Sequence, residues 1–402
     1  MTAGTMSATR GQGGRLSVWC GWVLCAAAVL TPLVAWLGPL AFAPLVSLVG
    51  LLTLPAIRIG PRDAPLALVL AVALAWVGLT MFWSPVRPHE LEDMTGVKLA
   101  LQAPLYWAAW SAARRADAVW AARAGRLFAW GLAACGALMF VEALTGGAVY
   151  LHLRELIGDP IRPDLGRKNL AQGSFALALL WPVAAVAGAR SGAPAWLAVP
   201  MAAGPALLAQ LFLSDAPVLA LGVVGLAGLA VWTWPRKAPN VLGAAAGAVV
   251  LLMPLLAAGV AGAGARLPES WAQRVSYWGY AVERIAERPL MGWGLDASRA
   301  FSPHIQLHPH NGALQVWLEL GLPGAVLLAL VWAQTFRRLA RERRGLPAPA
   351  AAGSAAVYLF FGLVSFGVWQ EWWLALGALA AVVAALAEPR DLAPIDAEGH
   401  SE

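Results

Sequence analysis

Twelve apolar windows, each long enough to cross about 30 Å of hydrocarbon as a helix, divide this chain at roughly 16–37, 40–57, 64–84, 95–113, 125–145, 169–188, 194–213, 216–234, 240–263, 311–336, 350–369 and 372–388. Lipid offers a backbone no hydrogen-bond partners, so each window has to satisfy its own as a helix. A transmembrane barrel is excluded, because barrel strands alternate polar and apolar residues and these windows are apolar all round. The fold class expected is therefore an all-α polytopic membrane protein of about twelve transmembrane helices. The chain is 60% hydrophobic and 12% charged over 402 residues, a balance foreign to soluble domains of this size. Its 21 tryptophans suit the boundary between lipid and water.

One membrane domain is expected over 1–390, with a long outer loop at 264–310 and a disordered tail, "DLAPIDAEGHSE", at 391–402. The polar leader with Arg10 and Arg15 precedes a first window that eleven more follow, so that window reads as an uncleaved helix rather than a signal peptide. Cys20, Cys25 and Cys135 sit inside apolar windows at no ligand spacing, which suggests neither a disulfide framework nor a zinc site.

An inside N-terminus makes the connections alternate. Arg58, Arg62, Arg114, Arg115, Arg123, Arg126, Arg190, Arg236, Lys237 and the run Arg337 to Arg344 then fall on the cytoplasmic side, as the positive-inside rule requires. The net charge of +6 follows this topology and is no argument for nucleic acid. Two outer connections break the rule: 146–168 carries Arg154, Arg162, Arg167 and Lys168, and 264–310 carries Arg266, Arg274, Arg284, Arg288 and Arg299. Either long loops tolerate charge freely, or these cations bind an anionic substrate at the outer leaflet. Five of the six histidines also lie outside.

In "PESWAQRVSYWGYAVERIAERPLMGWG", Trp271, Val275, Trp278, Val282 and Ile285 recur in steps of four and three, one stripe of a helix expected to lie flat on the membrane surface. Arg274 borders that stripe, placed for a lipid phosphate or as a snorkelling anchor; Arg284 and Arg288 turn towards water. In "HPHNGALQVWLELGLPG", Asn311 can cap the tenth span, which puts His310 at the helix mouth where free N–H groups favour an anion. His310 is a candidate general base, His308 competes with it, and an interfacial capping role is the alternative. Glu319 lies about 12 Å deeper by helical rise, and one of the loop cations is its expected partner. "GLPG" should kink the helix. In "RPDLGRKNLAQG", Arg167 and Lys168 directly precede the sixth span, with Arg162 further out. Glu90, Glu92 and Asp93 read as a solvated acidic loop, and no P-loop, serine elbow or zinc spacing is present.

His310 and Asn311, then nine residues, then Gly321 and Gly324, resemble the signature of the O-antigen ligase (WaaL) group within the O-antigen ligase and polymerase superfamily. "RVSYWGYAVERIAERPLMGWG" resembles that superfamily's long periplasmic loop. The resemblance implies a GT-C-type glycosyltransferase of the bacterial inner membrane with a periplasmic site. It would move O-antigen from undecaprenyl diphosphate to lipid A core among membrane lipids, inverting, as a monomer, without metal or cofactor. It implies catalytic roles for His310, Arg274 and Arg167, with Lys168, Arg162, Asn311, Glu319 and His308 binding substrate. "RPDLGRKN" matches loosely, so Arg162 or Lys168 can hold the role of Arg167, and "LSDAPVLAL" lacks an arginine that many relatives carry. The alternatives are a polymerase of the same superfamily and a transporter of an anionic lipid-linked substrate.

Overall fold

All twelve windows are helical in the computed structural model of the chain, which describes residues 3–263, 268–341 and 345–388. Arg266, Arg343, Arg344 and the tail 391–402 lie outside the described residues. The helices are α1 (Ala3–Leu37), α2 (Phe42–Leu52), α3 (Ala64–Thr80), α4 (Thr95–Arg115), α5 (Ala118–Thr145), α6 (Ala148–Leu156), α7 (Pro163–Arg190), α8 (Ala198–Leu211), α9 (Ala216–Thr233), α10 (Ala238–Gly262), α11 (Glu269–Glu287), α12 (Gly312–Arg337), α13 (Pro347–Val364) and α14 (Glu371–Ala387). Eight of them are long and apolar enough to span a membrane, and three shorter apolar segments, Pro39–Leu52, Ala195–Leu211 and Glu371–Ala387, accompany them. α4 makes the twelfth, its apolarity diluted by Lys98, Arg114 and Arg115. The chain is a multi-pass membrane protein. The two helices without a window, α6 and α11, fall in the two basic connections.

Small residues let the bundle close. A Cβ at Gly204 of α8 would come within 1.8 Å of the Gly136 carbonyl oxygen of α5, so these two helices touch backbone to backbone, the contact that replaces hydrophobic driving force between helices in lipid. At the end of the bundle away from His310, buried Asp63 accepts from Arg114 of α4 and from Arg338 just after α12. Burial alone would raise its pKa, but the guanidinium hydrogen bonds outweigh that and hold it below the usual carboxylate value.

The kink expected at "GLPG" is present: Gly321 has φ 65° and ψ −162° inside α12. Breaking a helix frees carbonyls, and in a membrane they have to be met by protein. The "PLMGWG" segment meets them. Trp293 N–H donates to Leu318 O at 2.9 Å and Gly294 N–H to Glu319 O at 2.8 Å, while Leu322 N–H returns to Pro289 O at 2.9 Å. The Trp76 indole of α3 takes the Leu320 carbonyl at 3.0 Å. Both partners need glycine here: Gly292 also has positive φ, and a Cβ on it would sit 2.5 Å from Glu319 O, while one on Gly321 would sit 2.3 Å from Leu290 O.

Candidate active site

His310 sits between three elements. Asn311, buried, caps α12 by accepting Leu314 N–H on Oδ1 at 3.0 Å, as its position before the apolar run predicts. The ring of His310 meets the linker between α13 and α14: Nδ1 lies 2.9 Å from the Ser365 carbonyl oxygen. A carbonyl can only accept, so Nδ1 carries the proton and Nε2 presents a bare lone pair. Tyr277 of α11 stacks on the ring at 6.2 Å, 13° from parallel. Burial first, and the nearby Arg274 charge as well, hold the His310 pKa below its ordinary value despite the Ser365 hydrogen bond. The ring is therefore neutral at pH 7.

His308 is engaged at both nitrogens. Nδ1 accepts the His310 backbone N–H at 3.1 Å and Nε2 faces the Gln370 amide at 3.2 Å. Burial, the His310 ring and Arg299 push its pKa down to about 3. Of the two histidines, only His310 keeps a ring nitrogen without a hydrogen-bond partner among the described residues.

α11 presents Arg274 to this spot. Tyr277 and Trp278, three and four residues on, both reach the HPHN segment, Trp278 by donating its indole N–H to Pro309 O at 2.9 Å. Residues at these offsets share a helix face, so Arg274 faces the same way one turn nearer the start of α11. Its guanidinium lies 5.2 Å over the Trp271 ring and pairs with no carboxylate among the described residues. Burial holds its pKa below the usual value. The apolar stripe of α11, expected to meet the membrane, meets protein instead: Trp278 and Ile285 are buried, and the stripe packs on Val250, Met253 and Ala257 of α10 and on Leu314 and Leu318 of α12. Tyr277 and Ala281, outside the stripe, are buried with it, so the buried face is wider than a period of four and three suggested.

Among the described residues no cation partners Glu319, contrary to expectation. Its fully buried carboxylate accepts from Asp296 N–H at 3.0 Å, Gln315 Nε2 at 3.1 Å, Trp369 Nε1 at 2.6 Å and both N–H and hydroxyl of Ser298. Five neutral donors stand where one guanidinium was expected. Glu319 thus ties three segments together: the loop after "PLMGWG", α12 and the α13–α14 linker.

The upstream cations stand apart from this cluster. Arg162 is exposed and bound to Asp164 at 2.8 Å. Arg167, also exposed, donates to Gly146 O at 3.2 Å, and Lys168 beside it is exposed. The link from α7 to the site is indirect: Phe175 packs at 4.9 Å on Phe366, next to Ser365, and Arg167 stands eight residues, about 12 Å of helical rise, further towards the helix start. Glu142, buried at the end of α5, accepts from the Trp36 indole at 2.9 Å. A cleft of about 490 Å³ opens elsewhere, lined by Trp83 and by Glu287 to Gly292, and does not include His310.

Sequence reading missed the "SFGVWQ" linker, which supplies Ser365, Trp369 and Gln370, and it missed Tyr277 and Gln315. Ser365 and Gln370, polar residues at the end of the eleventh apolar window, were the one signal.

The O-antigen ligase family model matches residues 175–329, from Phe175 on α7 through His310 to the second half of α12. Among curated relatives, a provisionally named polysaccharide ligase of Rickettsia conorii is 30% identical over 138 residues, 31% of this chain and 33% of the relative. One of Rickettsia felis is 25% identical over 137 residues, 31% and 34%, and one of Rickettsia bellii is 32% identical over 122 residues, 26% and 29%. The matched stretch thus covers about a third of the length of these relatives. No solved structure matches. That matched segment, which holds the kinked helix and the histidine at its mouth, is what this chain shares with the O-antigen ligase family, and over it the chain is similar to that family's members.

Proposed function

We propose that this protein transfers O-antigen polysaccharide from undecaprenyl diphosphate to lipid A core oligosaccharide, with inversion and with side-chain cations in place of a metal, at the periplasmic face of a bacterial inner membrane. One observation carries the reading: His310 spends its Nδ1 proton on Ser365 O and so offers a neutral Nε2 beside an arginine that pairs with no carboxylate among the described residues. In this reaction an acceptor hydroxyl gives its proton to Nε2, and its oxygen forms a bond to the anomeric carbon. The bond from that carbon to the carrier's diphosphate oxygen breaks, and the electron pair stays on phosphate. Arg274 stabilises the charge that develops there; an oriented donor in a site of low dielectric is worth more than in water. The Ser365 hydrogen bond supports the imidazolium formed in passing.

Arg167 and Lys168, on the exposed first turns of α7, serve in this reading as the outer grip on the diphosphate or glycan, and Arg162, already neutralised by Asp164, has the weakest claim. Asn311 and Glu319 act through the shape of the site rather than on substrate.

The test is transfer in detergent or liposomes with carrier-linked glycan, with and without lipid A core and with and without a chelator. Product that needs lipid A core, survives the chelator and disappears in His310→Ala is expected. Full transfer by His310→Ala would overturn the base. Lengthened carrier-linked glycan in the absence of lipid A core would make the protein a polymerase.

A further inference from the structure

We propose that His308 is a positioning residue of this site, whose Nδ1 holds the His310 backbone in the left-handed turn that presents the His310 ring to Ser365. The inference rests on His310 being the base. His310 has φ 53°, one of three non-glycine residues with positive φ in the described chain, a conformation that side chains with a Cβ adopt only when their surroundings enforce it. Two contacts enforce it here. The ring is held from outside by Ser365 O at 2.9 Å, and the backbone N–H is held from within by His308 Nδ1 at 3.1 Å. With either contact gone, the peptide is free to relax to negative φ, which swings the ring away from the linker.

The acceptor role fixes the state of His308. Nδ1 accepts only if the proton is on Nε2, and Nε2–H then needs an acceptor of its own. Gln370 is the group facing it, at 3.2 Å. Its amide oxygen is therefore the end that belongs against the imidazole, since two donors cannot share that contact. The fit is close on the remaining side: a Cβ on Gly367 would come within 2.8 Å of the His308 ring, so the linker backbone lies directly on it. The two rings meet edge to face at 4.5 Å. His308 is half-buried, neutral and used up by neighbours, which suits it to orient the base and leaves nothing for chemistry.

Two substitutions separate an acceptor from a space-filler. In His308→Asn the side-chain oxygen occupies the position of Nδ1 and can accept the same N–H, with less volume. In His308→Leu the volume is kept and the acceptor is lost. The expected result is a kcat for glycan transfer some 10- to 100-fold below wild type in His308→Leu, the scale of a displaced catalytic group, with KM for carrier-linked glycan within about twofold, and recovery to within a few-fold in His308→Asn. Leucine as active as histidine, or asparagine no better than leucine, overturns the proposal. Should His308→Leu fail to fold, Gln370→Leu and Gln370→Glu ask the same question one contact away. Leucine there leaves Nε2–H unmet and should lower kcat about 3- to 10-fold on the same reasoning, glutamate keeps an acceptor oxygen and should restore it, and equal activity of the two overturns the proposal. His310→Ala is run alongside. If it is active, the base assignment fails; if it is inactive while His308→Leu is fully active, only this inference fails.

Discussion

Ahead of α7, Arg154 is bound to Asp159 at 2.6 Å and Arg162 to Asp164 at 2.8 Å, both near the surface; on α11, Arg274 lies over Trp271, partly buried, and meets no carboxylate among the described residues. Counted by charge along the chain the two segments look alike, since each carries several cations between apolar helices. Their environments differ. Charges paired within a few residues at an exposed surface are already compensated and gain little from a ligand. A guanidinium taken partly out of water without a counter-ion gains most when an anion arrives. What separates Arg274 from Arg154 and Arg162 is burial together with the lack of a carboxylate among the described residues, which no count of charges reveals.

The contrast yields expectations that run from large to small. His310→Ala should lower transfer about a thousandfold, the middle of the range for a general base, measured in single-turnover assays so that product release does not mask chemistry. Arg274→Ala should cost on the order of a hundredfold in kcat, typical of a lost oxyanion donor. Arg274→Lys should fall between, because an ammonium lacks the planar fork. If Arg162→Ala instead proves as damaging as Arg274→Ala, the distinction between the two segments fails. Arg167→Ala and Lys168→Ala should each cost about tenfold or less, chiefly in KM, as outer contacts in water do, and Arg162→Ala should stay within about twofold.

Carboxylates extend the same contrast. Asp63 is held by two arginines and Glu319, among the described residues, by neutral donors. Removing Glu319 strands several buried donors, so Glu319→Leu should destabilise the fold by roughly 3 kcal/mol or more, read by unfolding in mixed micelles. Activity per folded molecule should change far less than the amount of folded protein. The last expectation concerns pH. The His308 pKa is about 3 in the folded protein and about 6.5 unfolded, so the native state binds fewer protons. Its neutral form therefore contributes stability that is present above about 6.5 and lost as pH falls from there towards 3. Thermal unfolding followed from pH 7 to pH 4 should show a shallower decline in His308→Asn than in wild type; parallel curves would mean that His308 is not buried neutral.

Much of the architecture was legible. The windows, the cap at Asn311, the break at Gly321 and the helix after Pro268 all follow from composition and spacing within a dozen residues, and each is present. Most partners of Glu319 were not legible, because four of its five donors come from Asp296, Ser298 and Trp369, brought in by the loop and the α13–α14 linker, and only Gln315 lies on the same helix. Nor was the face of α11: amphipathic spacing says that a stripe is buried, and leaves open whether lipid or protein buries it. The "SFGVWQ" linker went unnoticed since its value lies in one carbonyl and one amide aimed at residues 55 and 62 positions away.

Membrane crossing was settled by the sequence alone, since lipid imposes one local condition, internally bonded apolar helix, that each segment meets or fails by itself. Which histidine keeps a ring nitrogen unbonded, and which arginine stands beside it without a carboxylate, both among the described residues, was decided only by tertiary structure. Both depend on hydrogen bonds and burial contributed by helices distant along the chain, and a proton's place on an imidazole is set by whatever the other nitrogen touches.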